Sequence, residues 1–213
     1  MTSRPGPAPF VRRERAALCD LLLEVGPDAP TLCSGWTARD LLAHLLVRER
    51  EPWMAAGVVV SRLTRLTETA MGRSAHRSFD EEVARFRSPG PLVRPARLDA
   101  VANTVELVVH HEDVRRAAAS WTPRALPADD RDVVWRAASR MGRVLARPAR
   151  GGLVAARTDT DERHVLRSGP DPVLVSGDPV EVTLFLFGRP ACDVTLDGSP
   201  TALDALDRDA FGF

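Results

Sequence analysis

At Pro148 the chain changes texture, and that change narrows the folds open to it. Upstream, apolar residues recur at helical spacing in long stretches separated by prolines. Downstream, short β-like runs are bounded by Gly, Pro and Asp turns. The expectation is an α+β protein, with an N-terminal helix bundle over residues 1–148 followed by a small α+β domain over 149–213.

Residues 9–25 (PFVRRERAALCDLLLEV) read as an amphipathic helix ended by Gly26-Pro27 and Pro30. Thr37 can cap the next helix, and Asp40 three residues on completes a capping-box-like pair; this helix runs through His44 towards Pro52. Residues 53–71 read as apolar helix and 78–87 as a short polar one. The Pro-rich stretch SPGPLVRPAR precedes a long helix over 98–119, SWTPRALPADD is a loop, and 129–147 is a further long helix. Four long helices with proline-marked connections predict a bundle. In the tail, GGLVAART, RHVLRS and CDVTLDGS read as strands, DPVEVTLFLFGR as a helix opened by Asp178-Pro179, and SPTALDALDRDA as a short closing helix.

Composition mainly excludes. With 44% hydrophobic and 27% charged residues, 213 residues can bury an ordinary core. The formal net charge is zero, so no whole-chain field argues for nucleic acid or an anionic membrane as partner. All 29 basic residues are arginine, and the chain has no lysine and no tyrosine. A Schiff-base lysine, a P-loop lysine and a tyrosine acid/base are therefore ruled out. Cys19, Cys33 and Cys192 form no CxxC pair, so neither a disulfide framework nor a thiolate zinc site is expected. No run of about 18 apolar residues occurs, and MTSRPGPAPF lacks the apolar stretch of a signal peptide, so a cytoplasmic protein is expected. GxSxG, GxGxxG, Walker and HExxH patterns are all missing.

The remaining chemistry lies in two helical stretches. In NTVELVVHHEDVRR, Glu106 and His110 stand four residues apart on one face, which Asp113 shares, while His111 and Glu112 point elsewhere. Val105, Leu107, Val108 and Val109 make that helix apolar nearly all round, so it should be buried, where a carboxylate needs a partner or a cation. His44 lies in an apolar stripe of the helix after Thr37. Two imidazoles and one carboxylate converging from two helices would make a three-ligand divalent site with open positions, the catalytic pattern. Asp113 would then accept a hydrogen bond from the unligated imidazole nitrogen, and His111 would replace His110 if the helix were rotated. The alternative is structural: Glu106 paired with a buried arginine, and His44 and His110 as core histidines. His76 and His164 read as surface residues, and Cys33 as either inert packing or a reactive thiol near the site.

SGWTARDLLAHL and NTVELVVHHEDVRRA resemble the two metal-site signatures of the actinobacterial DinB-like, mycothiol-dependent maleylpyruvate isomerase superfamily. GDPVEVTLFLFGR followed by CDVTLDGS resembles the C-terminal domain of the same enzymes, so the likeness spans nearly the whole chain. HHEDVRRA followed by WTPRALP resembles a metal-binding subfamily within it. The resemblance implies a DinB-like four-helix bundle with an open divalent site, usually zinc, ligated by His44, Glu106 and His110. It also implies mycothiol or a related low-molecular-weight thiol as co-substrate.

The expected function is a thiol-dependent S-transferase or isomerase acting on a small molecule, as a monomer or homodimer. Arg48, Arg115 and Arg116 are candidates to neutralise a carboxylate on substrate or thiol, with a solvated helix face as the alternative for each. The competing functions are a metal-binding stress or binding module without catalysis, and metal-assisted hydrolysis with water in place of the thiol.

Overall fold

Helix α1 (Pro7–Val25) buries Phe10 near its start, and Leu18, Cys19 and Leu22 on one face further along, each at 2% exposure or less. The computed structural model describes residues 6–50, 77–88, 97–147, 149–207 and 211. The apolar helix expected over 53–71, most of the Pro-rich stretch before residue 98, and His76 lie outside the described residues.

Helix α2 (Ala38–Arg50) begins as its sequence requires. The Thr37 backbone N–H donates to Asp40 Oδ2 at 2.9 Å, and the Asp40 N–H donates to Thr37 Oγ1 at 3.3 Å, a reciprocal capping box. Helix α3 (Phe79–Arg87) opens with the same device, Ser78 and Glu81, and packs Phe79, Val83 and Phe86 inward against α2. Helix α4 (Arg97–Arg115) ends four residues before the expected 119. Residues 118–120 (Ala-Ala-Ser) are exposed, so even two good helix formers have no surface to bury, and propensity alone does not extend the helix.

The second half is a four-stranded mixed sheet with two helices of its own. The strands are β1 (Leu153–Arg157), β2 (Arg163–Arg167), β3 (Val173–Gly177) and β4 (Val194–Asp197). Their order is β2-β1-β3-β4, with β1 parallel to β3 and antiparallel pairs at both edges. Helix α6 (Pro179–Leu186) links β3 to β4, capped by the Asp178 carboxylate, which accepts from the Val180 N–H; α7 (Pro200–Asp204) follows β4. Every side chain of α6 is buried.

Helix α5 (Ala128–Leu145) packs on α6 and β2 through Val133, Val134, Ala137, Ala138 and Leu145. Gly142 allows this approach: a Cβ there would stand 2.7 Å from Leu166 Cδ2 and 3.3 Å from Leu186 Cδ1.

The chain divides into two compact units. One comprises residues 11–103 with 110–121; the other comprises 1–10, 104–109 and 122–213, so α5 groups with the sheet. Helix α4 is continuous from 97 to 115, and spacing along it is therefore fixed by the helix itself. Among the described residues, no helix is long and apolar enough to cross a membrane.

Candidate metal centre

The helical period of α4 sets two residues of the centre. Glu106 and His110 are one turn apart on it, and Asp113 follows three residues later on the same side. His44 comes from the middle of α2, and its ring centroid lies 5.3 Å from that of His110 in an edge-on arrangement. One ligand atom each from His44, Glu106 and His110 lie within 4.8 Å of one another.

Asp113 takes the expected supporting position. Its Oδ2 lies 2.9 Å from His110 Nδ1, and its side chain is fully buried. An ionised carboxylate accepts, so Nδ1 carries the proton and Nε2 retains the lone pair, a tautomer assigned from the hydrogen bond. Asp113 thus fixes both the orientation and the free nitrogen of His110.

The loop between α1 and α2 adds two side chains. Leu32 N–H donates to the Asp113 carbonyl at 2.9 Å, which ties this loop directly to α4. Thr31 Oγ1 donates to the Trp36 carbonyl at 3.0 Å, and Trp36 N–H donates to the Cys33 carbonyl at 2.9 Å. Gly35, at φ +76°, supplies the left-handed turn between them. Trp36 consequently sits with its ring 5.3 Å from His44, restricting that imidazole. Cys33 Sγ donates to Asp113 Oδ2 at 3.2 Å and lies 4.0 Å from His110 Nδ1. The structure thus places the Cys33 thiol beside His110 and Asp113.

His111 turns to the opposite face, where its Nδ1 lies 2.9 Å from Glu14 Oε1 in a buried pair, and it enters neither ligand group found among the described residues. Arg115 and Arg116 are not a solvated face: both donate to Glu112 at 2.7–3.0 Å, and Arg116 is 2% exposed with its guanidinium over Trp121. Arg48 stays half-buried one turn beyond His44 and donates through Nη1 to Asn103 Oδ1 at 2.9 Å. His164 is half-buried on β2. Nothing local in the sequence marks Asn103 or Glu14, because the partner of each lies on another helix.

No protein-family model matches the sequence, and no curated protein matches it. Two solved structures do: a mycothiol-dependent maleylpyruvate isomerase and a histidine-to-alanine mutant of it. The first aligns with a TM-score of 0.62 and 19% identity over 90% of this chain and 91% of that one. The mutant aligns with a TM-score of 0.61 over the same shares. The chain shares the fold of these enzymes.

Proposed function

We infer that the chain is a thiol-dependent isomerase or S-transferase of the DinB-like maleylpyruvate isomerase superfamily. Its co-substrate is mycothiol or a related low-molecular-weight thiol, and its divalent cation, zinc in this reading, is held by His44, Glu106 and His110. The observation that carries the reading is the convergence of two imidazoles and one carboxylate within 4.8 Å. It is supported by the shared fold with a mycothiol-dependent enzyme. A three-ligand set of nitrogen and oxygen donors fits a catalytic zinc position, which keeps room for a non-protein ligand.

Held there, a divalent cation supplies Lewis acidity and lowers the pKa of a thiol or water beside it. The protein's own contribution is orientation. Asp113 keeps the His110 lone pair on Nε2, so the imidazole presents that nitrogen without rearrangement. Trp36 narrows the rotation of His44. Arg48, steadied by Asn103, is the arginine placed to take a carboxylate on the small-molecule substrate or the thiol, because Glu112 engages the other two candidates.

Metal analysis of protein purified without chelators tests the assignment. One equivalent of zinc is expected in the wild type, and His44→Ala and Glu106→Ala should each lose it. Stoichiometric zinc retained in both variants would overturn the reading. Turnover that requires added low-molecular-weight thiol is expected; turnover with water alone would redirect the assignment to hydrolysis.

A further inference from the structure

A second set of ligand atoms meets at the other nitrogen of His110. Cys33 Sγ is 3.2 Å from Asp113 Oδ2 and 4.0 Å from His110 Nδ1, and Nδ1 and Oδ2 are 2.9 Å apart. A tetrahedral cation with a sulfur bond of about 2.3 Å and nitrogen and oxygen bonds of about 2.0–2.1 Å sets its ligand atoms roughly 3.4–3.6 Å apart. The three side chains thus stand at ligand spacing to within roughly half an ångström. Two of them are buried on α4, and Cys33 is half-buried, so the cluster meets solvent through the thiol. The backbone bond from Leu32 to the Asp113 carbonyl holds the thiol-bearing loop in register with the other two.

The geometry points to a second cation site made of Cys33 Sγ, His110 Nδ1 and Asp113 Oδ2, selective for thiophilic divalent ions and exclusive of the His44–Glu106–His110 site. Selectivity follows from the sulfur, since thiolate is a soft ligand and carboxylate with imidazole is a harder set. The exclusion, which rests on the zinc reading above, follows from proton accounting. A neutral imidazole has one lone pair. For Nδ1 to bind, its proton moves to Nε2, and His110 is then lost to the first site. The Cys33 thiol proton leaves to solvent as the sulfur–cation bond forms, and nothing is oxidised or reduced. A thiophilic ion therefore displaces the first cation by taking a shared ligand.

The test is titration of zinc-loaded, fully reduced protein with cadmium chloride. Two signals are followed: the ultraviolet cadmium–thiolate charge-transfer band, and zinc release into a chromogenic chelator. In the wild type the band should saturate at one equivalent with one zinc released. Cys33→Ser should lose both signals, as should Cys33→Ala, whereas a Cys19→Ser/Cys192→Ser double variant should keep them. His44→Ala should still give the band. A band that survives Cys33→Ser, or no band in the wild type, overturns the site, and a Cys33-dependent band without zinc release overturns the exclusion. A wild type that holds no zinc yet shows the Cys33-dependent band sinks the proposed function and leaves this site standing. Zinc without the band does the reverse.

Discussion

Residues 110–113 read His-His-Glu-Asp, and α4 sorts them onto two faces with different fates. On one face, His110 and Asp113 meet Cys33, and His110 meets His44 and Glu106. On the other, His111 meets Glu14, and Glu112 meets Arg115 and Arg116. Both faces bury a carboxylate completely, since Asp113 and Glu112 are each 0% exposed. They differ in what faces that carboxylate. Guanidinium is always charged and has no lone pair to offer. Imidazole and thiol can give up a proton and present one. The same residue types at adjacent positions thus form ion pairs on one side and a hydrogen-bonded imidazole, carboxylate and thiol cluster on the other, according to what the loop and helices facing each side present.

The largest expected effect breaks the ion-pair face. Glu112→Ala removes the acceptor of both arginines and leaves the buried Arg116 side chain, 0% exposed, without that carboxylate. Such a loss should cost about 3–5 kcal/mol, a fall in melting temperature of roughly 6–20 °C for a chain of this size. Zinc stoichiometry in the folded protein should not change. A melt within about 1 kcal/mol of wild type would mean that this face is not the structural one.

Asp113→Asn addresses the ligand face. It removes the charge that fixes His110 but keeps an acceptor for Nδ1, so zinc affinity should fall about 10–100-fold. Metal-free stability should stay within roughly 1 kcal/mol of wild type. Competition with a chelator of known affinity and a thermal melt of the metal-free protein measure the two quantities separately. Equal affinity with lost stability would make Asp113 structural. His111→Gln is smaller still. Weakening the bond to Glu14 should cost about 1 kcal/mol and leave zinc affinity unchanged, whereas an affinity loss matching Asp113→Asn would make His111 the ligand.

The sequence announced the ligand face more clearly than the tail. The spacing of Glu106, His110 and Asp113 is local, and a buried apolar helix must present all three on one side. The Thr37–Asp40 cap is likewise written within four residues and sets where α2 begins, and so where His44 lies. Cys33 was undecided because it lies 80 residues from Asp113 and reaches it only through the loop clamped to α4. Strand β3 carries no strand signal of its own although it is central, pairing with both β1 and β4. Its five residues follow Pro170 and Asp171-Pro172, which read as a turn, and its stability comes from neighbours on both sides rather than from its own pattern. Nor could an amphipathic pattern say what α5 covers; Gly142 against Leu166 and Leu186 decides that, and it pairs residues from three separate elements.

The second unit offers a reference for the ion-pair face in a form that acid can titrate. Arg157, 3% exposed, donates to both oxygens of Asp159 at 2.6 and 2.7 Å and to Asp132 at 2.7 Å. The hydrogen bonds from Arg157 hold the Asp159 carboxyl below its ordinary range. The folded state therefore binds that proton less readily than the unfolded chain does. Stability from the pair is fully present above the ordinary carboxylate pKa of about 3.9 and drains away as pH falls through the lower, folded value. Asp159→Asn should flatten this acid limb while altering zinc affinity not at all. Melting temperatures followed from neutral pH to below about 4 check it: parallel acid limbs in wild type and variant would show that the guanidinium contributes nothing titratable. The contrast between charge neutralised by arginine and lone pairs gathered for a cation would then rest on α4 alone.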